Sequence, residues 1–160
     1  MSTALKLDRQ KLYTHDTRHQ RISMKLCAKL GSYLDGKKCE LFAAPFDVRL
    51  NVDGANDVVV QPDLLVVCDP EKIDDKGCNG APDLVVEILS LSNATYDTMT
   101  KFQIYREARV SEIWFVDPET TKTQVSRLEN GKYTLDFYDA EDVVPVGILP
   151  GFELNMKDIF

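Results

Sequence analysis

Three short, strongly apolar segments, VVVQPDLLVV, DLVVEIL and EIWFV, most constrain the fold of this chain. Segments of this length that are rich in β-branched residues are typical of buried strands. Residues 18–34 predict a helix, because Ile22, Leu26, Leu30 and Tyr33 recur at helical spacing and form one apolar stripe. Buried strands combined with amphipathic helices indicate an α/β protein with a mixed sheet and helices packed against it.

The remaining elements are predicted from turn residues and periodicity. The chain should contain strands at 41–50, 58–67, 83–90 and 112–116, a second helix at 97–108, and a hairpin of 123–127 with 132–137 around Asn130-Gly131. Val52-Asp53-Gly54 predicts a turn, residues 74–80 a loop, and residues 150–160 a tail that folds back on the sheet. The order is αβββαβ with an appended C-terminal hairpin, in one domain over residues 1–160.

Composition narrows the possible environments and partners. The chain has 19 basic and 26 acidic residues, a net charge of −7, which is unfavourable for general binding to nucleic acid. It has no apolar segment long enough to span a membrane and no signal-peptide pattern at its N-terminus. The four cysteines form no metal-binding spacing, and Cys27 and Cys68 lie in apolar patterns, so we expect free thiols and a cytoplasmic location.

Two acidic residues stand within the apolar segments. Asp63 interrupts VVVQPDLLVV, and Glu87 interrupts LVVEIL. A carboxylate is costly to bury unless it is paired or bound to a cation. If the two strands are neighbours, both carboxylates can bind one Mg²⁺ or Mn²⁺ ion. Asp83 is four residues from Glu87, about 13 Å along a strand, and is predicted to shape the strand entrance instead. The alternative is a pair of structural carboxylates satisfied by backbone N–H groups.

Several charged residues allow two interpretations. Lys101, on the second predicted helix, could reach the two acids, or it could form an ordinary surface ion pair with Asp97, four residues earlier. A basic stripe on the first helix could contact phosphates or could be a solvated helix face; its members are Arg18, Arg21, Lys25 and Lys29. His15 and His19 are also four apart, but without a third ligand nearby they favour surface or packing roles.

Four motifs in order carry a family resemblance: QPDLLVV, GAPDLVVEILS, DTMTKFQIY and VSEIWFVDP. They resemble the Uma-type family of putative restriction endonucleases, a branch of the PD-(D/E)XK nuclease superfamily that is expanded in cyanobacteria. The similarity extends from about His19 to the C-terminal KDIF and implies a restriction-endonuclease-like fold.

The resemblance also implies roles for individual residues. Asp63 corresponds to the metal-binding aspartate and Glu87 to the second acidic ligand, with the peptide carbonyl after Glu87 as a further ligand. Leu89 occupies the usual position of the superfamily's lysine, and Lys101 matches the family's lysine on the following helix. Gln61 and Asp97 are expected to line the site. The implied reaction is metal-assisted hydrolysis of DNA phosphodiester bonds with Mg²⁺ or Mn²⁺.

A second hypothesis is a catalytically inactive binding or assembly module, for which a homodimer is one form. Relatives carry an upstream segment with a glutamate followed by Asp-Gly, whereas the seventeen residues before Arg18 contain no glutamate. The net negative charge also favours this hypothesis. A nucleophilic serine or cysteine enzyme has little support, since the chain contains no GxSxG, GxxxxGK[ST] or GxGxxG motif.

Overall fold

The computed structural model describes residues 16–160, apart from residues 53–54 and 91–93. Two helices and twelve strands are present in this part of the chain. The elements are α1 Thr17–Leu34, β1 Glu40–Ala43, β2 Val48–Val52, β3 Ala55–Val60, β4 Leu64–Val67, β5 Ile73–Asp74, β6 Gly77–Asn79, β7 Leu84–Ile88, α2 Ala94–Glu107, β8 Glu112–Asp117, β9 Lys122–Glu129, β10 Lys132–Tyr138, β11 Val143–Pro145 and β12 Glu153–Asn155. Short 3₁₀ helices follow β4 and β12 at Pro70–Lys72 and Met156–Asp158.

The main sheet has the strand order β1-β4-β7-β8-β9-β10. Strands β7 and β8 are parallel and are joined through α2, while the other neighbouring pairs are antiparallel. Within this sheet the sequence α1, β1, β4, β7, α2, β8 is the predicted αβββαβ core, and the mixed α/β fold is confirmed. The predicted hairpin is also present as β9 and β10, with Asn130 and Gly131 both at positive φ as a two-residue turn requires.

Two predicted strands, at 41–50 and 58–67, were wrong as single elements. Each divides in two, with β1 and β4 in the main sheet and β2 and β3 in a second sheet of order β3-β2-β6-β5. The breaks coincide with the cis Ala44-Pro45 bond and with Pro62, where a proline cannot donate to a strand ladder. The predicted loop at 74–80 holds β6 and the end of β5. The predicted turn at Val52-Asp53-Gly54 lies largely outside the described residues.

The two faces of the main sheet are covered differently. On one face α1 and the C-terminal segment pack on alternate strand residues, among them Leu64, Val86 and Trp114. On the other face α2 and the second sheet cover Leu65 and Val85. The predicted return of the tail onto the sheet is confirmed, because its buried residues belong to the first of these cores; they are Leu154, Met156 and Ile159.

The cysteines differ from the expectation of free thiols. Cys39 and Cys68 stand opposite each other at the ends of β1 and β4 and form a disulfide bond. Cys27 and Cys78 are free, half-buried and buried respectively. This pairing has no local signal in the sequence, because the two residues are 29 positions apart and meet only through the register of the two strands. No helix of the described residues is long and apolar enough to cross a membrane.

Candidate active site

The register of β4 against β7 brings the two predicted acids together. Leu64 lies opposite Val86 in this antiparallel pair, so one further step places Asp63 beside Glu87. Residues directly opposite one another project from the same face of a sheet, with Cβ atoms about 5 Å apart. Asp63 itself stands just before β4 rather than inside a strand, which corrects its predicted position. The convergence of the two side chains therefore depends on strand register alone.

Asp63 is held by two different elements. Its Oδ2 accepts a hydrogen bond of 2.7 Å from the backbone N–H of Ile88, the residue after Glu87. Its Oδ1 lies 3.2 Å from Nε2 of His19, in the first turn of α1. The side chain of Asp63 is only 10% exposed. Each carboxylate oxygen thus has one near neighbour, and the side chain is fixed in orientation.

Glu87 is held by α2 from its other side. Lys101 Nζ donates to Oε2 at 2.8 Å, and the Tyr105 hydroxyl donates to Oε1 at 2.5 Å. Lys101 and Tyr105 are four apart, so one face of the helix presents both donors. Burial raises the pKa of the Glu87 carboxyl; the Lys101 ammonium opposes this shift and the nearby Asp63 carboxylate adds to it. The two carboxylates are therefore close enough for their charges to interact.

The pair opens into a cleft of about 610 Å³ between α1 and α2. Asp63, Glu87 and Lys101 line it, and Lys101 is 42% exposed, so its ammonium faces the solvent of the cleft. Gln61 and Asp97 line the same cleft, as expected, and Gln61 donates to Asp47 at 2.6 Å. The ion pair that Lys101 makes is with Glu87 and not with Asp97.

The donor set fits a hard divalent cation. Mg²⁺ and Mn²⁺ are bound through one or two carboxylates with water and substrate oxygens completing the shell, and two converging carboxylates at an open cleft meet that requirement. Among the described residues, no three His, Cys, Asp or Glu side chains are arranged as a complete metal site. An ion held by Asp63 and Glu87 would therefore need further ligands to complete its coordination shell.

Other acids and bases named from the sequence lie elsewhere. Asp83 accepts a hydrogen bond of 2.7 Å from the backbone N–H of Cys68 and so joins the start of β7 to the end of β4. None of the four basic residues of α1 lines the cleft. At 100° per residue they lie on the side of α1 opposite its cleft-lining residues. Two of them form ion pairs, Arg18 with Glu119 and Lys29 with Asp158. Phosphate contact by this stripe remains a prediction that the cleft does not support.

Two site residues were not identified from the sequence. Tyr105 lies in the second predicted helix but was given no role in the site, and His19 was interpreted as a surface or packing histidine. His19 is buried, with 4% exposure, and lines the cleft. The spacing of Tyr105 four residues after Lys101 could have indicated its place, whereas the link from His19 to Asp63 spans separate elements and has no local signal. His15 lies outside the described residues.

Comparisons with known proteins agree with this architecture. Residues 10–157 match the family model described as "Uma2: Putative restriction endonuclease". An uncharacterised protein from Synechocystis is 33% identical over 87 residues, which cover 54% of this chain and 44% of that protein. A crystal structure titled as a putative nuclease belonging to DUF820, from Anabaena variabilis, matches 91% of this chain and 82% of its own with a TM-score of 0.74 and 19% identity. That structural likeness shows the fold.

Proposed function

Because this chain belongs to the Uma2 family of putative restriction endonucleases, we propose that it is a divalent-metal-dependent endonuclease acting on DNA. The observation that carries the proposal is the convergence of Asp63, Glu87 and Lys101 at one open cleft. These side chains come from the start of β4, from β7 and from α2. Their arrangement supports a metal site beside the Lys101 ammonium, and these are the groups that hydrolysis of a phosphodiester requires.

Each residue of the proposed site has a separate role in the reaction. Asp63 and Glu87 would hold Mg²⁺ or Mn²⁺, which supplies Lewis-acid stabilisation of phosphate oxygens and lowers the pKa of bound water. Lys101 is placed to orient the attacking water or to stabilise negative charge that develops on the phosphate. Tyr105 keeps Glu87 in place through its hydroxyl. In the reaction, a water oxygen bonds to phosphorus while the bond to the leaving sugar oxygen breaks, and that oxygen takes up a proton.

The charge distribution limits how DNA could bind. The net charge is −7, and among the described residues Lys101 is the lysine that lines the cleft, so sequence-independent attraction to phosphates would be weak. Binding would then depend on local contacts at the cleft and on the metal itself. We propose the cytoplasm as the site of action; the Cys39–Cys68 disulfide counts against this compartment, where such bonds are rare.

A second candidate is a catalytically inactive binding or assembly module, for which a homodimer is one form. One observation favours it: each of the four carboxylate oxygens already has a neighbouring protein group. For Asp63 these groups are His19 and the Ile88 amide, and for Glu87 they are Lys101 and Tyr105. A site that satisfies its own charges can remain folded without a metal.

Plasmid cleavage distinguishes the two candidates. The wild-type protein is incubated with supercoiled plasmid and Mg²⁺ or Mn²⁺, alongside Asp63→Asn, Glu87→Gln and Lys101→Met. Cleavage is expected for the wild type and is expected to be lost in all three variants. Glu141→Gln is the matched control, because it removes an exposed carboxylate whose ion pair with Lys157 lies outside the cleft residues, and it should leave cleavage unchanged. Thermal melting of each variant confirms that it is folded.

The opposite result is equally informative. Plasmid that stays intact at high wild-type concentration with Mn²⁺ contradicts the nuclease proposal. In that case sedimentation of the same sample tests whether the protein forms a homodimer, which is one form that the second candidate can take.

A further inference from the structure

His19 lies at the N-terminal end of the buried face of α1. Asp16 caps α1 and accepts a hydrogen bond of 2.8 Å from the His19 backbone N–H, which fixes the first turn. The imidazole is directed inward, with 4% residue exposure, and Nε2 lies 3.2 Å from Asp63 Oδ1. It also lines the cleft that holds Glu87 and Lys101. A buried imidazole thus approaches the proposed metal site from an element that carries neither acid.

We propose that His19 is a metal ligand, and that its Nε2 binds the same ion as Asp63 and makes the site select Mn²⁺, or a later first-row ion, over Mg²⁺. This inference rests on the proposed metal site and adds to it the identity of the third side chain and of the preferred ion. Glu87 then completes the protein's contribution through its carboxylate or through a bridging water.

The distance between His19 Nε2 and Asp63 Oδ1 fits coordination of one ion by both atoms. Nitrogen and oxygen ligands bind such ions at about 2.0–2.2 Å. Two ligands at adjacent corners of an octahedron are therefore about 3 Å apart, close to the 3.2 Å between His19 Nε2 and Asp63 Oδ1. The His19 backbone is fixed by its N–H bond to Asp16, and the Asp63 side chain by the bond from the Ile88 N–H to Oδ2. The two donor atoms are consequently preorganised for a common ion.

The selectivity follows from ligand chemistry. Mg²⁺ strongly prefers oxygen ligands and keeps several waters, so an imidazole adds little to its binding. Affinity for a mixed nitrogen and oxygen site rises from Mn²⁺ along the first transition row. A site built only from Asp63 and Glu87 would accept either ion. The addition of His19 should shift the preference towards the transition metal.

The competing role for His19 is a hydrogen bond from Nε2–H to Asp63, which would orient the carboxylate without touching the ion. His19→Gln separates the two roles, because the glutamine amide can donate a hydrogen bond in place of Nε2 but offers no imidazole nitrogen. His15→Gln is the matched control, since the chain contains only two histidines. Thermal melting establishes that each variant is folded before binding is measured.

Two measurements on the metal-loaded protein test the proposal without reference to cleavage. Electron spin echo modulation of bound Mn²⁺ should show coupling to ¹⁴N in the wild type and in His15→Gln, and no such coupling in His19→Gln. By calorimetry, His19→Gln should weaken Mn²⁺ binding by about 100-fold, more than most outer-sphere changes, and Mg²⁺ binding by less than about threefold.

The outcomes separate this inference from the proposed function. The role of His19 as a ligand would be overturned if the wild type shows no ¹⁴N coupling, or if His19→Gln loses Mn²⁺ and Mg²⁺ affinity equally. The metal site itself would still stand in that case, provided that Asp63→Asn abolishes metal binding. If neither ion binds the wild type in a manner that depends on Asp63, the proposed function fails and the ligand role of His19 fails with it.

Discussion

Tyr105→Phe is the most informative single change for the construction of the site. Tyr105 is fully buried and donates its hydroxyl to Glu87 Oε1 at 2.5 Å. Phenylalanine retains the ring and removes only the donor. A hydrogen bond to a charged acceptor contributes about 1.5–3 kcal/mol, and its loss leaves a buried carboxylate oxygen without that donor. For a chain of this size the loss corresponds to a decrease in Tm of roughly 3–12 °C.

The assay is urea unfolding at neutral pH for the wild type, Tyr105→Phe, Glu87→Gln and the double variant. Tyr133→Phe is the matched control, because the Tyr133 hydroxyl donates to the neutral carbonyl of Val110 at 2.6 Å and should contribute only about 0.5–1.5 kcal/mol. The double-mutant cycle should give a coupling of about 1 kcal/mol or more between Tyr105 and Glu87. Absence of coupling, together with a cost no greater than that of Tyr133→Phe, would refute the reasoning.

Three further predictions concern stability and thiols. Burial raises the pKa of Glu87, so the stability that its protonated form contributes is present below the ordinary glutamate pKa and is lost as pH rises through the raised value. Between pH 4 and 8, the urea midpoint of Glu87→Gln should therefore rise relative to that of the metal-free wild type. A constant difference between the two midpoints would contradict this. Gly77→Ala should prevent stable folding or lower the free energy of unfolding by well over about 3 kcal/mol, because φ is +119° and a Cβ would lie 2.2 Å from a backbone oxygen. Gly131→Ala is the control, because the space around Gly131 is open, and thermal melting should show a loss of only about 1–2 kcal/mol. Thiol titration of denatured protein purified without reductant should find two free thiols, and four would show that Cys39 and Cys68 are not bonded.

The sequence predicted those parts of the fold that local patterns determine. The apolar stripe of α1 and the Asn130-Gly131 turn each lie within a few residues, so periodicity and turn chemistry were sufficient. The division of two predicted strands between separate sheets was missed, although Pro45 and Pro62 mark both breaks. A continuous apolar pattern does not reveal that a chain leaves one sheet and enters another.

The sequence predicts the part of the candidate site that consists of charged residues within apolar segments. Asp63 and Glu87 were identified because carboxylates in apolar segments need compensation, and the register of β4 against β7 confirms that they are neighbours. His19 was not predictable, since its approach to Asp63 depends on how α1 packs against the ends of the strands. The sequence does not distinguish Tyr105 from other buried helix residues, because only the structure places its hydroxyl beside Glu87.

The central claim is that Asp63 and Glu87 hold one divalent ion, and anomalous diffraction from crystals soaked in Mn²⁺ tests it most directly. The account predicts a peak about 2 Å from a carboxylate oxygen of Asp63, with Glu87 bound to it directly or through water, and no peak in Asp63→Asn crystals. A wild-type crystal with no peak at saturating Mn²⁺, and with both carboxylates still bonded to Ile88, Lys101 and Tyr105, would contradict the account.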